Sequence, residues 1–277
     1  MQGSDRRDLQ LAMTKADMDF HVVARELMTH DEDHVPDRKA LFRTDTNEYL
    51  GTVGMNYAVA SNPQVFACLA PLVHEGPWDI DRAGNFLGGK RSWMLLTQRE
   101  KHTDEGGYNP KGVDMNLLAS TSHDGSAALR VTVTPYRPFC SNFLATAISE
   151  SQSSVRISHI PSWSRKMDLI VDFITRIPKL TAQCLDQYML LHHTAVLADQ
   201  LEEFIATLPL SEIAAKKVFA SMRRNPPDHS FWDLYNLYNS RLNHKYQNKS
   251  RSMNSLWFGQ RHTRDVAALN TLLQIAS

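Results

Sequence analysis

The stretch from Leu117 to Leu144 reads as strand, tight turn, strand and helix start, and hydrophobic and polar residues alternate in its second strand. Leu129, Val131 and Val133 fall on one side of an extended chain, and Arg130, Thr132 and Thr134 on the other, because strand side chains point alternately to two faces. Asp114 to Thr121 and Ala127 to Thr134 therefore read as a hairpin across His123-Asp124-Gly125, where Asp-Gly supplies the positive φ of a tight turn. A second hairpin joins Trp78–Phe86 to Arg91–Thr97 across Leu87-Gly88-Gly89-Lys90. Leu50 to Ala60 suits a strand with a glycine irregularity. Asn62-Pro63 then gives an N-cap followed by proline at the first helical position, opening a helix to about His74. Cys140 to Ile148 carries apolar residues at helical spacing, and Val155 to Ile160 adds one more short strand.

Beyond Pro161 the period is that of helices. Met167 to Leu208 is amphipathic with a predicted break near Pro178, Ser211 caps a helix ending near Arg224, and two more helices run over about 230–248 and 256–275. In the first 45 residues Leu9, Met13, Ala16 and Phe20 have near-helical spacing, but Val35-Pro36-Asp37 interrupts the pattern. The expected class is α+β: a mainly antiparallel sheet of hairpins with helices on one face, followed by a helical C-terminal part. The expected layout is a polar N-terminal arm over 1–45, an α+β core over 46–160 and a helical region over 161–277 packed on that core.

Composition narrows the class. A chain of 277 residues with 42% hydrophobic and 22% charged content is long enough to bury an ample core. No apolar run approaches the roughly 20 residues that span a bilayer, so no membrane partner is expected. Met1 to Asp8 is charged and lacks the apolar stretch of a secretory signal. Cys68, Cys140 and Cys184 are widely spaced without a CxxC, which points to a reducing compartment, and the expected location is cytoplasmic. Net charge is zero but uneven. Residues 1–49 hold seven Lys/Arg against eleven Asp/Glu (−4), and residues 221–277 hold eight against three (+5). A basic end is an electrostatic footprint for phosphate as well as an ordinary solvated face.

Enzyme signatures are sparse. His123-Asp124 has the residue types of a metal or acid–base site, but Asp-Gly between alternating strands is first of all turn chemistry. Ser122 and Ser126 beside it have no base partner identifiable by spacing. His30 and His34 stand four apart in His-Asp-Glu-Asp-His, a segment acidic enough to read as a solvated turn. His192-His193 are about 100° apart around a helix, so they make poor joint ligands. No dinucleotide fingerprint, phosphate-binding loop or nucleophile elbow occurs, and neither cofactor nor metal is expected. At the C-terminus Phe231, Trp232, Tyr235 and Tyr238 precede Arg241, His244, Lys245, Tyr246, Lys249 and Arg251, followed by Trp257, Phe258, Arg261 and Arg264. Cations tracking phosphates beside aromatic faces describe a single-strand binder; aromatics at i, i+3 and i+6 equally describe a buried helical stripe.

Gly88-Gly-Lys-Arg-Ser-Trp93, Ser122-His-Asp-Gly-Ser126 with Leu129-Arg-Val131, and Arg137 to Asn142 resemble the phage/plasmid-like domain of unknown function numbered 932. Trp232 to His244 and Leu256-Trp-Phe-Gly259 are similar to the end of the same family, so the resemblance covers about residues 45–277. After the hairpin, family members commonly carry Arg-Val-Val-Cys-Gln-Asn, where this chain has Arg137-Pro-Phe-Cys-Ser-Asn142. The resemblance implies a mobile-element protein and brings no catalytic residues with it. Combined with two basic hairpins and a basic C-terminal region, it leads to the expectation of a non-enzymatic protein that binds single-stranded DNA and promotes annealing, assembled as a homo-oligomeric ring or filament. Lys90, Arg91, Arg130 and Arg137, with Arg241, Lys245, Lys249 and Arg251, are the expected DNA contacts. The alternatives are a metal-dependent nuclease or hydrolase centred on His123 and Asp124, and a protein-interaction factor acting on host replication or defence.

Overall fold

The computed structural model describes residues 8–99, 113–137, 142–146, 150–244, 255 and 257–277. In chain order the elements are α1 (Leu9–Lys15), β1 (Val22–Met28), β2 (His34–Arg43), β3 (Tyr49–Gly54), α2 (Asn62–Phe66), α3 (Ala70–His74), β4 (Trp78–Phe86), β5 (Arg91–Gln98), β6 (Asp114–Ser122), β7 (Leu129–Arg137), β8 (Asn142–Phe143), α4 (Glu150–Ser153), β9 (Ser154–Ile157), α5 (Asp168–His193), α6 (Ala198–Thr207), α7 (Glu212–Val218), α8 (Phe231–His244) and α9 (Gln260–Ala276). The class is α+β, with a helical C-terminal part. One sheet has the order β1-β2-β3, and the other runs β4-β5-β6-β7-β8 with β9 on β7. No described helix is long and apolar enough to cross a membrane. The described residues fall into two compact units, one formed by 8–99, 116–133 and 150–177 and the other by 113–115, 134–137, 142–146 and the described residues from 178 on.

In the first unit, the segment expected as a polar arm carries α1 and the strands β1 and β2. A strand with one face turned to solvent needs only its alternate positions apolar, so a polar stretch suffices. Val22 and Leu41 face inward and join Phe20, Leu50 and Val53 in one hydrophobic cluster. Arg43 is buried on that side and makes paired hydrogen bonds to Asp17 (2.7 and 2.9 Å) and Asp45 (2.7 and 3.0 Å), with its guanidinium 4.0 Å from the centre of the Phe20 ring. A buried guanidinium is tolerable only when paired in this way.

The helix after β3 starts one residue earlier than expected, because Ser61 rather than Asn62 is the N-cap. Gln64 Oε1 accepts from the Ser61 N–H at 2.9 Å and from its hydroxyl at 3.0 Å. A 3₁₀ turn over Ala67–Leu69 separates α2 from α3, whose Pro71 lies in its first turn. The β4–β5 hairpin forms as expected. Its turn holds Leu87, Gly88 and Gly89 at φ of 57°, 68° and 92°, and a Cβ on Gly89 would lie 2.8 Å from the Phe20 ring, so only glycine fits there.

Leu129, Val131 and Val133 are buried as their alternation predicted, and Thr134, expected on the polar face, is buried too. The helix expected over Cys140–Ile148 is absent where described. Asn142 and Phe143 pair with Arg137 and Tyr136 as β8, and the Leu144 N–H bonds the Pro135 carbonyl at 2.9 Å. A neighbouring strand satisfies backbone groups that helical spacing alone does not. Residues 140–141 and 147–148 of that prediction lie outside the described residues.

The predicted break near Pro178 does not occur, and α5 runs through it. Proline removes one backbone bond, but Ile170, Phe173 and Ile177 before it and Leu180, Cys184, Tyr188 and Leu191 after it are all buried, so packing offsets the loss. Ser211 caps α7 through the Ala214 N–H as expected. The helix ends at Val218 rather than near Arg224, with a separate 3₁₀ turn over Met222–Arg224. In the second unit Phe204, Phe219, Phe231, Trp232 and Tyr235 are buried, and α8 supplies three of these five.

Candidate functional site

The two signature segments of the hairpins meet at one end of the larger sheet. Arg91 pairs with Ser122 across β5 and β6, and the His123 N–H donates to the Lys90 carbonyl at 2.8 Å, tying the two turns together. The Asp124 carboxylate accepts from the Ser126 N–H at 2.9 Å and Gly125 takes φ of 74°, so Asp-Gly does shape the turn. The first sheet closes on the same turn. A Cβ on Gly51 would lie 2.7 Å from Asp124 Cα, and the Tyr57 hydroxyl donates to the Ser122 carbonyl at 2.7 Å.

His123 is buried beneath this turn. Its Nε2 lies 2.8 Å from Asn62 Oδ1, and the Asn62 amide nitrogen donates to the Met18 carbonyl at 2.8 Å. Because that amide nitrogen is spent on a carbonyl, Oδ1 is the acceptor and His123 Nε2 carries the proton. Burial first, then the nearby His159, pushes the His123 imidazole down to about 4, and it is neutral near pH 7. His159 is likewise pushed down to about 4 by burial. It meets Thr121 Oγ1 at 3.1 Å and stacks on Tyr57 at 4.9 Å between ring centres. This is a packed, neutral histidine pair. No group of three metal-ligating side chains occurs among the described residues.

The expected basic contacts separate. Arg91 is half-buried, donates to Ser126 Oγ at 2.9 Å, and is held below the usual guanidinium range by desolvation, so it braces the turns. Arg130 is half-buried near the start of β7, where it pairs with Arg156 of β9. Arg137 ends β7, with its side chain outside the described residues, as are Lys245, Lys249 and Arg251. Arg241 lies half-buried in the last turn of α8. Lys90, half-buried in the β4–β5 turn, places its ammonium over the ring of Tyr49 on the first sheet.

The surface around that ring is one the sequence reading missed. On the face of the three-stranded sheet opposite its core, Arg25 of β1 sits 4.6 Å from the centre of the Phe42 ring. Phe42 of β2 meets Tyr49 of β3 edge-on at 5.7 Å, and Lys90 Nζ sits 5.6 Å from the centre of the Tyr49 ring. Cation, aromatic, aromatic and cation therefore follow one another across three strands and a turn. Tyr49 is 49% exposed, and its hydroxyl shares a hydrogen bond of 2.8 Å with Thr52. Phe42 and Tyr49 are register partners because Asn47, at φ of 59°, turns the chain between them. Asp45-Thr-Asn-Glu48 between Phe42 and Tyr49 is the hairpin signal that locates them in sequence.

The second unit uses its aromatics differently. Trp232, Tyr235 and Tyr238 are buried, as a helical stripe. The Tyr188 hydroxyl donates to the Ala145 carbonyl, and the Ala145 N–H donates to the Tyr235 hydroxyl at 2.9 Å. Tyr235 in turn donates to Asp265 Oδ2 at 3.3 Å, which also accepts from Asn239 at 2.9 Å. Burial pushes the Asp265 carboxyl up to about 7, against the pull of these two donors.

No curated protein and no solved structure matches the chain. One family model does, over residues 49–267, and both tied turns, the histidine pair and the Tyr235–Asp265 network fall inside that span. The chain belongs to the family described as a domain of unknown function (DUF932).

Proposed function

We propose that this protein binds single-stranded DNA, with bases stacked on Tyr49 and Phe42 and the backbone drawn along Arg25 and Lys90. The observation that carries this reading is the row of two cations and two aromatics on the solvent-facing side of β1–β2–β3. Base–aromatic stacking is worth about 1–3 kcal/mol per base, and cations beside the rings add attraction for phosphate. A shallow row holds a strand without enclosing it, leaving its pairing edges open to a second strand. Annealing without turnover, a homo-oligomeric assembly and a setting in mobile elements are parts of the same proposal. The neutral, buried state of His123 speaks against placing acid–base chemistry at the Asp124 turn.

The test is fluorescence anisotropy with labelled single- and double-stranded oligonucleotides over a salt series. Single strands bind more tightly, and Tyr49→Ala weakens that binding by roughly tenfold. Lys90→Ala flattens the salt dependence by about 0.7 in slope, the value for one phosphate contact on a single strand. Absence of single-strand binding at low salt, or binding that Tyr49→Ala leaves intact, rejects the reading.

A further inference from the structure

A small cavity in the second unit, of about 60 Å³, is lined by Arg241 and Leu242 of α8, Arg261 and Arg264 of α9, Tyr238, and Pro209 and Leu210 of the α6–α7 connection. Three arginines line this one small space, and like charges held close together repel one another unless something negative sits between them. Among the described residues, neither Arg241 nor Arg264 forms an ion pair, and the nearby buried carboxylate, Asp265, is bonded to Tyr235 and Asn239 instead. Arg261 donates a hydrogen bond of 3.2 Å to the Leu242 carbonyl, which ties α9 to the end of α8.

Two further observations point the same way. Arg261 and Arg264 stand at the start of α9, a helix of 17 residues whose first turn has no acidic side chain. Cations at the positive end of a helix dipole are unfavourably placed, and a bound anion reverses the sign of that interaction. Tyr238 is 1% exposed, lines the cavity, and its hydroxyl has no hydrogen-bond partner among the described residues. Burial pushes that hydroxyl up to about 12, so it keeps its proton as a donor.

We infer that Arg241, Arg261, Arg264 and Tyr238 form a binding site for a phosphomonoester dianion. The cavity suits one phosphate group, with three guanidiniums neutralising its charge and the tyrosine hydroxyl donating to an oxygen. The site is independent of the row on the three-stranded sheet, and either can stand without the other. The phosphate is that of a small phosphoester or of a phosphorylated strand end, two sources with the same recognition chemistry.

Titration calorimetry of the full chain at constant ionic strength tests this with inorganic phosphate, a 5′-phosphorylated tetranucleotide and its unphosphorylated form. Inorganic phosphate binds saturably, with one site per chain, and Arg241→Gln or Arg264→Gln each weakens it by about tenfold. Arg264 is exposed, so its glutamine variant keeps the fold, and Tyr238→Phe keeps the ring packed while removing the donor. A 5′-phosphate that raises tetranucleotide affinity in the parent protein but not in Arg264→Gln assigns the site to strand ends. Inorganic phosphate binding without that gain assigns it to small phosphoesters. Absence of saturable phosphate binding, or binding that all three substitutions leave within twofold, overturns the inference. None of these outcomes depends on Tyr49 or Lys90.

Discussion

Both units place aromatic side chains beside cations, yet they use them in opposite ways. On the three-stranded sheet, Phe42 and Tyr49 are cross-strand partners on the face away from the hydrophobic cluster, with Arg25 and Lys90 over their rings. On α8, Trp232, Tyr235 and Tyr238 repeat at helical spacing and are all buried, and the arginines gather at the helix end. A strand sends alternate residues to opposite faces, so one aromatic can be core while its neighbour is free. A helix that spaces aromatics three apart puts them on one stripe, and water is excluded from all of them. The same residue types thus signal binding on one element and packing on the other.

The contrast breaks most visibly at Trp232. Trp232→Ala is expected to cost about 3–5 kcal/mol of stability, read as a fall in the urea midpoint, because a fully buried ring leaves a cavity. A smaller loss would mean that the α8 stripe is not core.

Asp265 gives the next largest effect. Its folded-state value of about 7 lies above the ordinary 3.8, so the folded protein holds the proton more tightly than the unfolded chain. Stability from this group is present below pH 4, is lost as pH rises through 7, and is constant beyond it. Asp265→Asn is expected to remove that loss, gaining a few kcal/mol at pH 8 and little at pH 4, checked by urea titrations at both.

In the first unit the dependence on pH has the opposite sign. His123 and His159, both pushed down to about 4, favour the neutral form on folding, so stability is lost as pH falls from 6.5 towards 4. His123→Gln is expected to shrink that acid-side loss while lowering stability at pH 7. An unchanged acid limb would mean that His123 is already open to protonation.

The smallest effect is at the exposed row. Tyr49→Ala is expected to change stability by no more than about 0.5 kcal/mol while weakening single-strand binding, and that dissociation of stability from binding separates it from Trp232→Ala.

Local chemistry was legible where the chain itself carried the whole reason. The β4–β5 and β6–β7 hairpins rested on Gly88-Gly89 and Asp124-Gly125, and the Ser211 cap on a hydroxyl three residues from its amide. The burial of the α8 aromatics followed from their spacing. Other features required partners distant in sequence. Val22 and Leu41 are too sparse to announce strands until Phe20, Leu50 and Val53 complete their cluster. Pro178 breaks a helix by its own chemistry and is overruled by burial on both sides of it. Asn142 and Phe143 give up helical spacing for the ladder that β7 offers. The same division holds for function. Sequence singled out Lys90, but only the hairpin over residues 43–48 places Tyr49 under it and Phe42 beside that ring. Arg241, Arg261 and Arg264 are separated along the chain, and the packing of α8 on α9 through Tyr235, Asn239 and Asp265 brings them to one cavity. Periodicity and turn chemistry act over a few residues and are written in order along the chain, whereas which charges end up together is set by packing between segments far apart in it.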